Sequence, residues 1–467
     1  MIRIDFTSDH RFIYQQIYSQ LRKQILQNEL RAHSKLPSKR ELAEILNVSI
    51  NSVKTAYEQL MEEGYIYTVE RVGYYVEEIQ EFKLAANTQQ TFPPNLKETV
   101  ETRKGWLSLS HMNTNPHLFP FKKWLSCQSK IYNTYISSLG DMPHTQGPYM
   151  LRQSIAEMLY RTRGITCEPE QIVLHATSQG LLERIIYMQQ KKTFATENPG
   201  YARYHHLLKR ANINTHLIQL DAQGIDVDYL TNTNADIVIT TPSHQFPTGI
   251  IMPISRRIEL LNWAAAKEER YIIEDDYDSE YKYQTDNIPA LQSLDYNQKV
   301  IYMGTFSKTL LPGIRMSYMV LPPKWLSLYL DHFALEIQPA NILTLYTLHE
   351  FIDSGLLEKH VRKMTKHYET IRTLLIEQLY EQLGEHIVIH DIPAGLHFLV
   401  EVFTEKTYTA IEEQAILHKL ELYTLKRFSL NSLPLIKKSR SIIIGFANIA
   451  PEDIPKAVER LKKVLFH

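Results

Sequence analysis

With 467 residues, 44% hydrophobic and 22% charged, and a formal net charge of −1, the chain is long enough for two or three domains of about 100–200 residues each and has no overall basic field to hold a polyanion. Its two cysteines, Cys127 and Cys167, exclude a disulfide framework and give no metal-ligand spacing, so no metal is expected. The start lacks the apolar stretch of a signal peptide and no run approaches about 18 consecutive apolar residues, so a cytoplasmic protein with no membrane partner is expected.

The first expected element is a helix, because Ile13, Ile17, Leu21 and Ile25 recur at four-residue steps on one face. Ser38 and Glu41 form a capping box that opens a second helix, with Leu42, Ile45 and Leu46 as its inner face. Asn47-Val48 makes a turn. Ser49 then caps a third helix whose inner side is Val53, Ala56, Tyr57 and Leu60, while Ile50, Asn51 and Lys54 on its other side are free to meet a groove. Beyond Glu63-Gly64, the runs 65–68 and 73–76 flank Glu70-Arg71-Val72 as a wing. Short helices, a tight turn and a hairpin are what a winged helix-turn-helix requires. A helical dimerisation module has the same periodicity, and residues 1–78 hold ten Lys or Arg against eleven Asp or Glu, so charge alone does not decide for DNA.

Residues 79–105 are polar, carry Pro93-Pro94 and lack a sustained apolar period, which reads as a linker with one apolar dock at Phe82-Lys83-Leu84. From residue 106 to 467, β-type and helical patterns alternate, the signature of an α/β fold. Buried strands are expected at Gln171–Leu174, Ile237–Thr240, Tyr271–Glu274 and Val300–Met303.

Ligands of open α/β sheets bind beyond the carboxyl ends of strands, and five segments carry chemistry there. Lys308 follows a strand, preceded by Thr305 and Ser307 and followed by Pro312-Gly313-Ile314-Arg315. An amine set among hydroxyls and an arginine suits a Schiff base to pyridoxal phosphate, with the hydroxyls and Arg315 on the phosphate. Asp275 is positioned to keep a pyridine nitrogen protonated, and Tyr277 to bond the ring 3-oxygen. Ser178-Gln179-Gly180 precedes a helix whose first amides suit a phosphate. Tyr201 is placed to stack on the ring. Thr241 through Gly249 fills the turn after another strand. Each segment alone also reads as an ordinary cap, core residue or solvated loop; five in order make the case.

Two resemblances follow from these residues. Tyr14-Gln15-Gln16-Ile17, Leu36-Pro37-Ser38-Lys39-Arg40-Glu41-Leu42-Ala43 and Ala56 through Tyr65 resemble the GntR family of bacterial regulators. That likeness implies a DNA-facing set of Arg40, Ser49, Asn51 and Lys54, with Arg71 on the wing. Ile50 stands where the family usually has arginine, which implies a different or looser base preference. Residues 106–467 resemble the type I aminotransferases. The fusion is similar to the MocR/GabR group of regulators, which implies a winged helix-turn-helix (1–78), a linker (79–105) and an aminotransferase-like domain (106–467). It also implies a head-to-tail, domain-swapped homodimer on operator DNA, with pyridoxal phosphate on Lys308. An amino-acid effector such as γ-aminobutyrate would be held by Arg203 and Arg427 and would displace Lys308 to form an external aldimine.

Three positions depart from that pattern. Phe246 replaces an asparagine for the 3-oxygen, Ile443 replaces the arginine that grips an α-carboxylate, and Thr177 replaces a glycine of the phosphate loop. The first two argue against ordinary transamination. A working aminotransferase that regulates itself, and a regulator that senses pyridoxal phosphate alone, are the rival readings.

Overall fold

The computed structural model describes residues 2, 4–6, 12–79, 92–98, 103–283, 289–390, 392–431 and 439–467. The chain divides into two compact units, 1–102 and 103–467.

In the first unit α1 (Ile13–Leu26), β1 (Lys35–Leu36), α2 (Lys39–Leu46), α3 (Ile50–Glu62), β2 (Ile66–Val69) and β3 (Gly73–Val76) follow in order, with the strands arranged β1-β3-β2. Ser38 opens α2 through a reciprocal box: its hydroxyl accepts from the Glu41 N–H at 3.2 Å and its own N–H donates to the Glu41 carboxylate at 3.2 Å. Asn47 ends α2 in the left-handed region at φ 51°, and the Ser49 hydroxyl accepts from Ser52 N–H at 3.1 Å to start α3. Ile17, Leu21, Leu42, Val53, Ala56, Tyr57 and Leu60 are fully buried between the three helices. Two expected core positions are not in it. Ile13 is 45% exposed and Ile45 59% exposed. On α2 the 100° steps put Leu42, Leu46 and Ala43 across the inner arc and leave Ile45 beyond its edge.

The segment Phe82-Lys83-Leu84 lies outside the described residues. Arg103 pairs with Glu421 at 3.2 Å, and Arg460 donates to the Gly105 carbonyl at 2.9 Å, so residues 103 and 105 are fastened to the second unit.

That unit begins with β4 (Leu107–Ser108), α4 (Phe121–Thr134) and α5 (Tyr149–Arg163). Then come β5 (Ile172–His175), α6 (Ser178–Met188), β6 (Phe194–Asn198), α7 (Ala202–Arg210), β7 (Thr215–Asp221), β8 (Gly224–Ile225), β9 (Ile237–Thr240), β10 (Tyr271–Asp276), β11 (Val300–Thr305) and β12 (Ser317–Val320). They form an eight-stranded sheet ordered β5-β12-β11-β10-β9-β6-β7-β8. Strands β11, β10, β9, β6 and β7 run parallel, and β12 is antiparallel to both β11 and β5. The central strands β9, β10 and β11 begin as apolar runs buried on both faces, as crossover helices on each side require, whereas β7 is only partly buried. A smaller sheet, β13 (Ile387–His390), β14 (His397–Phe403), β16 (Tyr423–Thr424) and β17 (Ser439–Gly445), is ordered β13-β14-β17-β16, while β15 (Leu420–Glu421) pairs with β4. All four expected strands are present; Tyr271–Glu274 continues through Asp276, so Asp275 lies in β10 rather than after it. No helix among the described residues is long and apolar enough to cross a membrane.

Candidate functional site

The carboxyl ends of β5, β6, β9, β10 and β11 open on one cavity of about 180 Å³. Register explains the convergence: Asp275 lies beside Met303 and Asp276 beside Gly304 across the β10–β11 pair, so the residues that follow leave the sheet at one level. Ser178, Gln179, Tyr201, Arg203, Asp275, Tyr277, Thr305, Ser307, Lys308 and Arg315 all line the cavity. Arg427 does not. It sits exposed on the short helical turn Leu425–Phe428, its guanidinium 4.5 Å over the Tyr423 ring.

Lys308 donates to the His111 carbonyl. Burial, aided by the Arg203 cation and opposed by Asp278, pulls the ammonium down to about 8. Asp275 is pushed the other way, up to about 7, by burial and the neighbouring carboxylates, with the Tyr204 hydroxyl opposing. Strand alternation separates the two aspartates of β10. Asp275 faces the cavity, whereas Asp276 pairs with the buried Arg163 at 2.7 Å and accepts from the Tyr302 hydroxyl at 2.6 Å.

A helix start and a cluster of hydroxyls border the same space. Thr177 caps α6 by accepting the Gly180 N–H at 2.8 Å, so Ser178 and Gln179 are the first two helical residues. Such N–H groups have no intrahelical partner. Across from them the Ser317 hydroxyl donates to Thr305 Oγ1 at 3.0 Å, and the Ser307 N–H donates to the same oxygen at 3.2 Å. Arg315, in the left-handed region at φ 54° and exposed, closes the turn Pro312–Ile314.

Phe246 gives the cavity an apolar stretch of lining, backed by buried residues. Phe246, Leu399, Phe428 and Ile443 form a small buried cluster, and the Tyr201 ring meets Phe246 edge-on, 5.8 Å away at 90°. Sequence reasoning missed His111, Met112, Tyr204 and Ser317, which also line the cavity. Burial and the cations of Lys308, Arg427 and Arg203 push His111 down to about 3. It also missed a buried trio, His244, Asp278 and His397, whose ligand atoms lie within 4.8 Å of one another. His244 and Asp278 lie inside segments already singled out, and that was the available signal. His111 and His397 come from distant parts of the chain without a motif.

In the first unit Arg40, Ser49, Asn51 and Lys54 are all exposed. Lys54 pairs with Glu58 at 3.7 Å. Arg71 stands at the wing tip with φ 62°, over nine-tenths exposed, 4.0 Å from Glu70. Ile50 is half-exposed at the start of α3.

The fold and the two sites define a class: a helix-turn-helix reader fused to an aminotransferase fold. Residues 13–76 match the gntR family of bacterial regulatory proteins and residues 107–461 match aminotransferase class I and II. The chain is 34% identical to the helix-turn-helix-type transcriptional regulator YdeL of Bacillus subtilis (strain 168), covering 96% of each. It is 27% identical to the probable rhizopine catabolism regulatory protein MocR of Rhizobium meliloti, over 96% of this chain and 93% of that one. The kynurenine aminotransferase of Pyrococcus horikoshii, solved in complex with PMP, superposes with a TM-score of 0.69 at 22% identity, over 81% of this chain and 98% of that one, a likeness of fold. The chain belongs to the MocR-type family of helix-turn-helix transcriptional regulators with an aminotransferase-like domain.

Proposed function

We propose that this regulator carries pyridoxal phosphate on Lys308 and changes its hold on operator DNA when an amino-acid effector of the γ-aminobutyrate type enters the cavity. The observation that carries the reading is the donor set on one cavity: an amine, a buried carboxyl, a helix start and an arginine. Each suits one part of the cofactor, namely the aldehyde, the pyridine nitrogen and the phosphate. When bound, the cofactor supplies an electrophilic carbon that exchanges one amine for another.

The chain's own groups are tuned to that exchange. With its pKa near 8, Lys308 is roughly 10% neutral at pH 7, against roughly 0.03% for an ordinary lysine. A neutral amine is the nucleophile. Asp275, buried and raised to about 7, regains its charge beside a cationic ring nitrogen, because an opposite charge favours the ionised form. Ser178, Gln179, Thr305, Ser307 and Arg315 would hold the phosphate, and Tyr201 would pack on the ring. Arg203, which lines the cavity, would receive the effector's distal carboxylate as a bidentate pair; Arg427, outside the lining, would join it only by moving toward the ligand. Phe246 on the lining, backed by the buried Ile443, offers no partner to an α-carboxylate, which disfavours ordinary α-amino acids. With the cofactor held on Lys308, an effector amine competing for that tie would bias the domain arrangement of a homodimer and so its fit to DNA. Arg40, Ser49, Asn51, Lys54 and Arg71 form the DNA-facing set.

The test is a titration of the cofactor-loaded protein with γ-aminobutyrate and α-amino acids, following the visible absorption of the bound cofactor and operator affinity together. A response of both to the γ-amino acid supports the reading. Bound cofactor with no response to any amine favours a sensor of pyridoxal phosphate itself, and repeated turnover to keto product favours an enzyme.

A further inference from the structure

Behind Tyr277 lies a pair that the cavity lining does not include. His244 and Asp278 are each 2% exposed at their side chains. His244 Nδ1 stands 3.1 and 3.0 Å from the two Asp278 oxygens and 3.0 Å from the Tyr277 hydroxyl. The pair has no slack, since a Cβ at Gly395 would lie 2.1 Å from His244 Cε1 and 2.6 Å from Asp278 Oδ2.

These distances decide where the protons are. A ring lone pair aimed at a carboxylate 3.0 Å away is repelled, whereas an N–H at that distance makes a normal hydrogen bond. Nδ1 therefore carries the proton. His244 Nε2 is buried with no hydrogen-bond partner among the described residues, and an orphaned acceptor is tolerated better than an orphaned N–H. The ring is thus the neutral Nδ1–H tautomer. Facing that one N–H, the Tyr277 oxygen can only accept from it. The single phenolic proton must then point elsewhere, and the open direction is the cavity that Tyr277 lines. The surrounding charges keep that proton in place. Burial and the carboxylates of Asp278, Asp275, Glu197 and Asp276 hold the phenol well above its usual range. Burial, aided by the Lys308 cation, holds His397, its ring 4.8 Å from His244, well below the usual histidine range.

Resting on the reading of the cavity as a pyridoxal phosphate site, we propose that His244 and Asp278 are positioning residues that fix Tyr277 as a hydrogen-bond donor into the cavity. The site then accepts a ring bearing an anionic oxygen, as the 3-oxygen of pyridoxal phosphate is, and rejects a ring presenting a donor there.

The experiment is a pH titration of the visible absorption of the bound cofactor in the full chain, with Asp278→Asn in two backgrounds. An asparagine amide donates to Nδ1, which then becomes an acceptor and turns the Tyr277 proton away from the cavity. The ring oxygen, having lost its donor, holds the proton it shares with the Lys308 nitrogen more tightly. The midpoint is expected to rise by about 0.5 to 1 pH unit, the worth of one hydrogen bond. Loss of the Asp278 charge acts with the opposite sign, because that charge raises the proton affinity at Lys308. In Tyr277→Phe, where there is no hydroxyl to turn, Asp278→Asn should therefore leave the midpoint level or lower it. A fall or no change in the first background, or an equal rise in both, overturns the proposal. If the unmutated chain takes up no pyridoxal phosphate, the cavity reading fails separately. The tautomer is then read in the cofactor-free chain by long-range proton–nitrogen spectra, with the His244 signals identified by their loss in His244→Gln. Protonation at Nδ1 that moves to Nε2 in Asp278→Asn upholds the tautomer argument, and Nε2 protonation in the unmutated chain overturns it.

Discussion

The two units place their chemistry on opposite sides of the solvent boundary. In the first, every side chain assigned to DNA is exposed, and Lys54 and Arg71 each pair with one surface carboxylate, Glu58 and Glu70. In the second, the assigned groups sit around a cavity where burial moves Lys308 down to about 8 and Asp275 up to about 7. The difference teaches how each site should respond to change. Exposed charges act through a screened field and in small steps, whereas groups held out of water act in large ones.

The largest step is Lys308→Ala. With the only amine among the described lining residues gone, the visible absorption of covalently held cofactor should vanish, while operator binding by the cofactor-free chain persists at low salt. A surviving band would break the assignment. A second large effect is on stability. Asp275 in the folded, cofactor-free chain has a pKa raised above its unfolded value, so the folded state binds more protons between about pH 4 and 7. Stability should fall as pH rises through that window. Glu274 and Glu280 are raised by burial as well and share the slope. Asp275→Asn should flatten it in part, measured as urea midpoints at pH 5 and 7.5, and bound cofactor should flatten it too. An unchanged slope in the variant would show that Asp275 is not the titrating group. Next comes Arg203→Lys, which keeps the charge but loses the planar fork. The spectral response to γ-aminobutyrate should need about tenfold more ligand, about 1.4 kcal/mol, with cofactor binding and DNA affinity unchanged. A full response would remove Arg203 from the effector site.

The same contrast explains what was legible in the sequence. Caps and faces of short helices are local, so Ser38, Ser49 and the Val53, Ala56, Tyr57, Leu60 face could be read directly; the errors, Ile13 and Ile45, fall at the rims of their apolar arcs, where one 100° step decides exposure. Strand ends with chemistry after them were legible because each is a run of apolar residues broken by polar ones. What could not be read is what folding brings together from afar. His111 reaches Lys308 across 197 positions, and His397 joins His244 across 153, with no spacing rule to connect them. Arg427 was assigned by resemblance, and its place beside Tyr423 outside the lining depends on a turn that no local pattern specifies.

The smallest effects belong to the exposed unit, and they separate two kinds of contact. Arg40 is on α2 and Lys54 on the outer side of α3, both exposed and neither buried against the core. If Arg40 reads a base edge, Arg40→Ala should cost about 1–3 kcal/mol on the operator and little on unrelated DNA, so the specificity ratio falls. Lys54 already shares its charge with Glu58 at 3.7 Å, and exposed pairs of this kind contribute only about 0.3–0.5 kcal/mol. Breaking the pair therefore costs little, and the charge is free to serve a phosphate. Lys54→Ala should weaken operator and unrelated DNA alike and reduce the slope of log affinity against log salt by about 1. Both variants should bind cofactor as the unmutated chain does. Affinities measured at three salt concentrations on two sequences give the ratio and the slope together. A sequence-selective loss in Lys54→Ala, or a uniform one in Arg40→Ala, would exchange their roles, and no loss in either would place the DNA surface elsewhere on this unit.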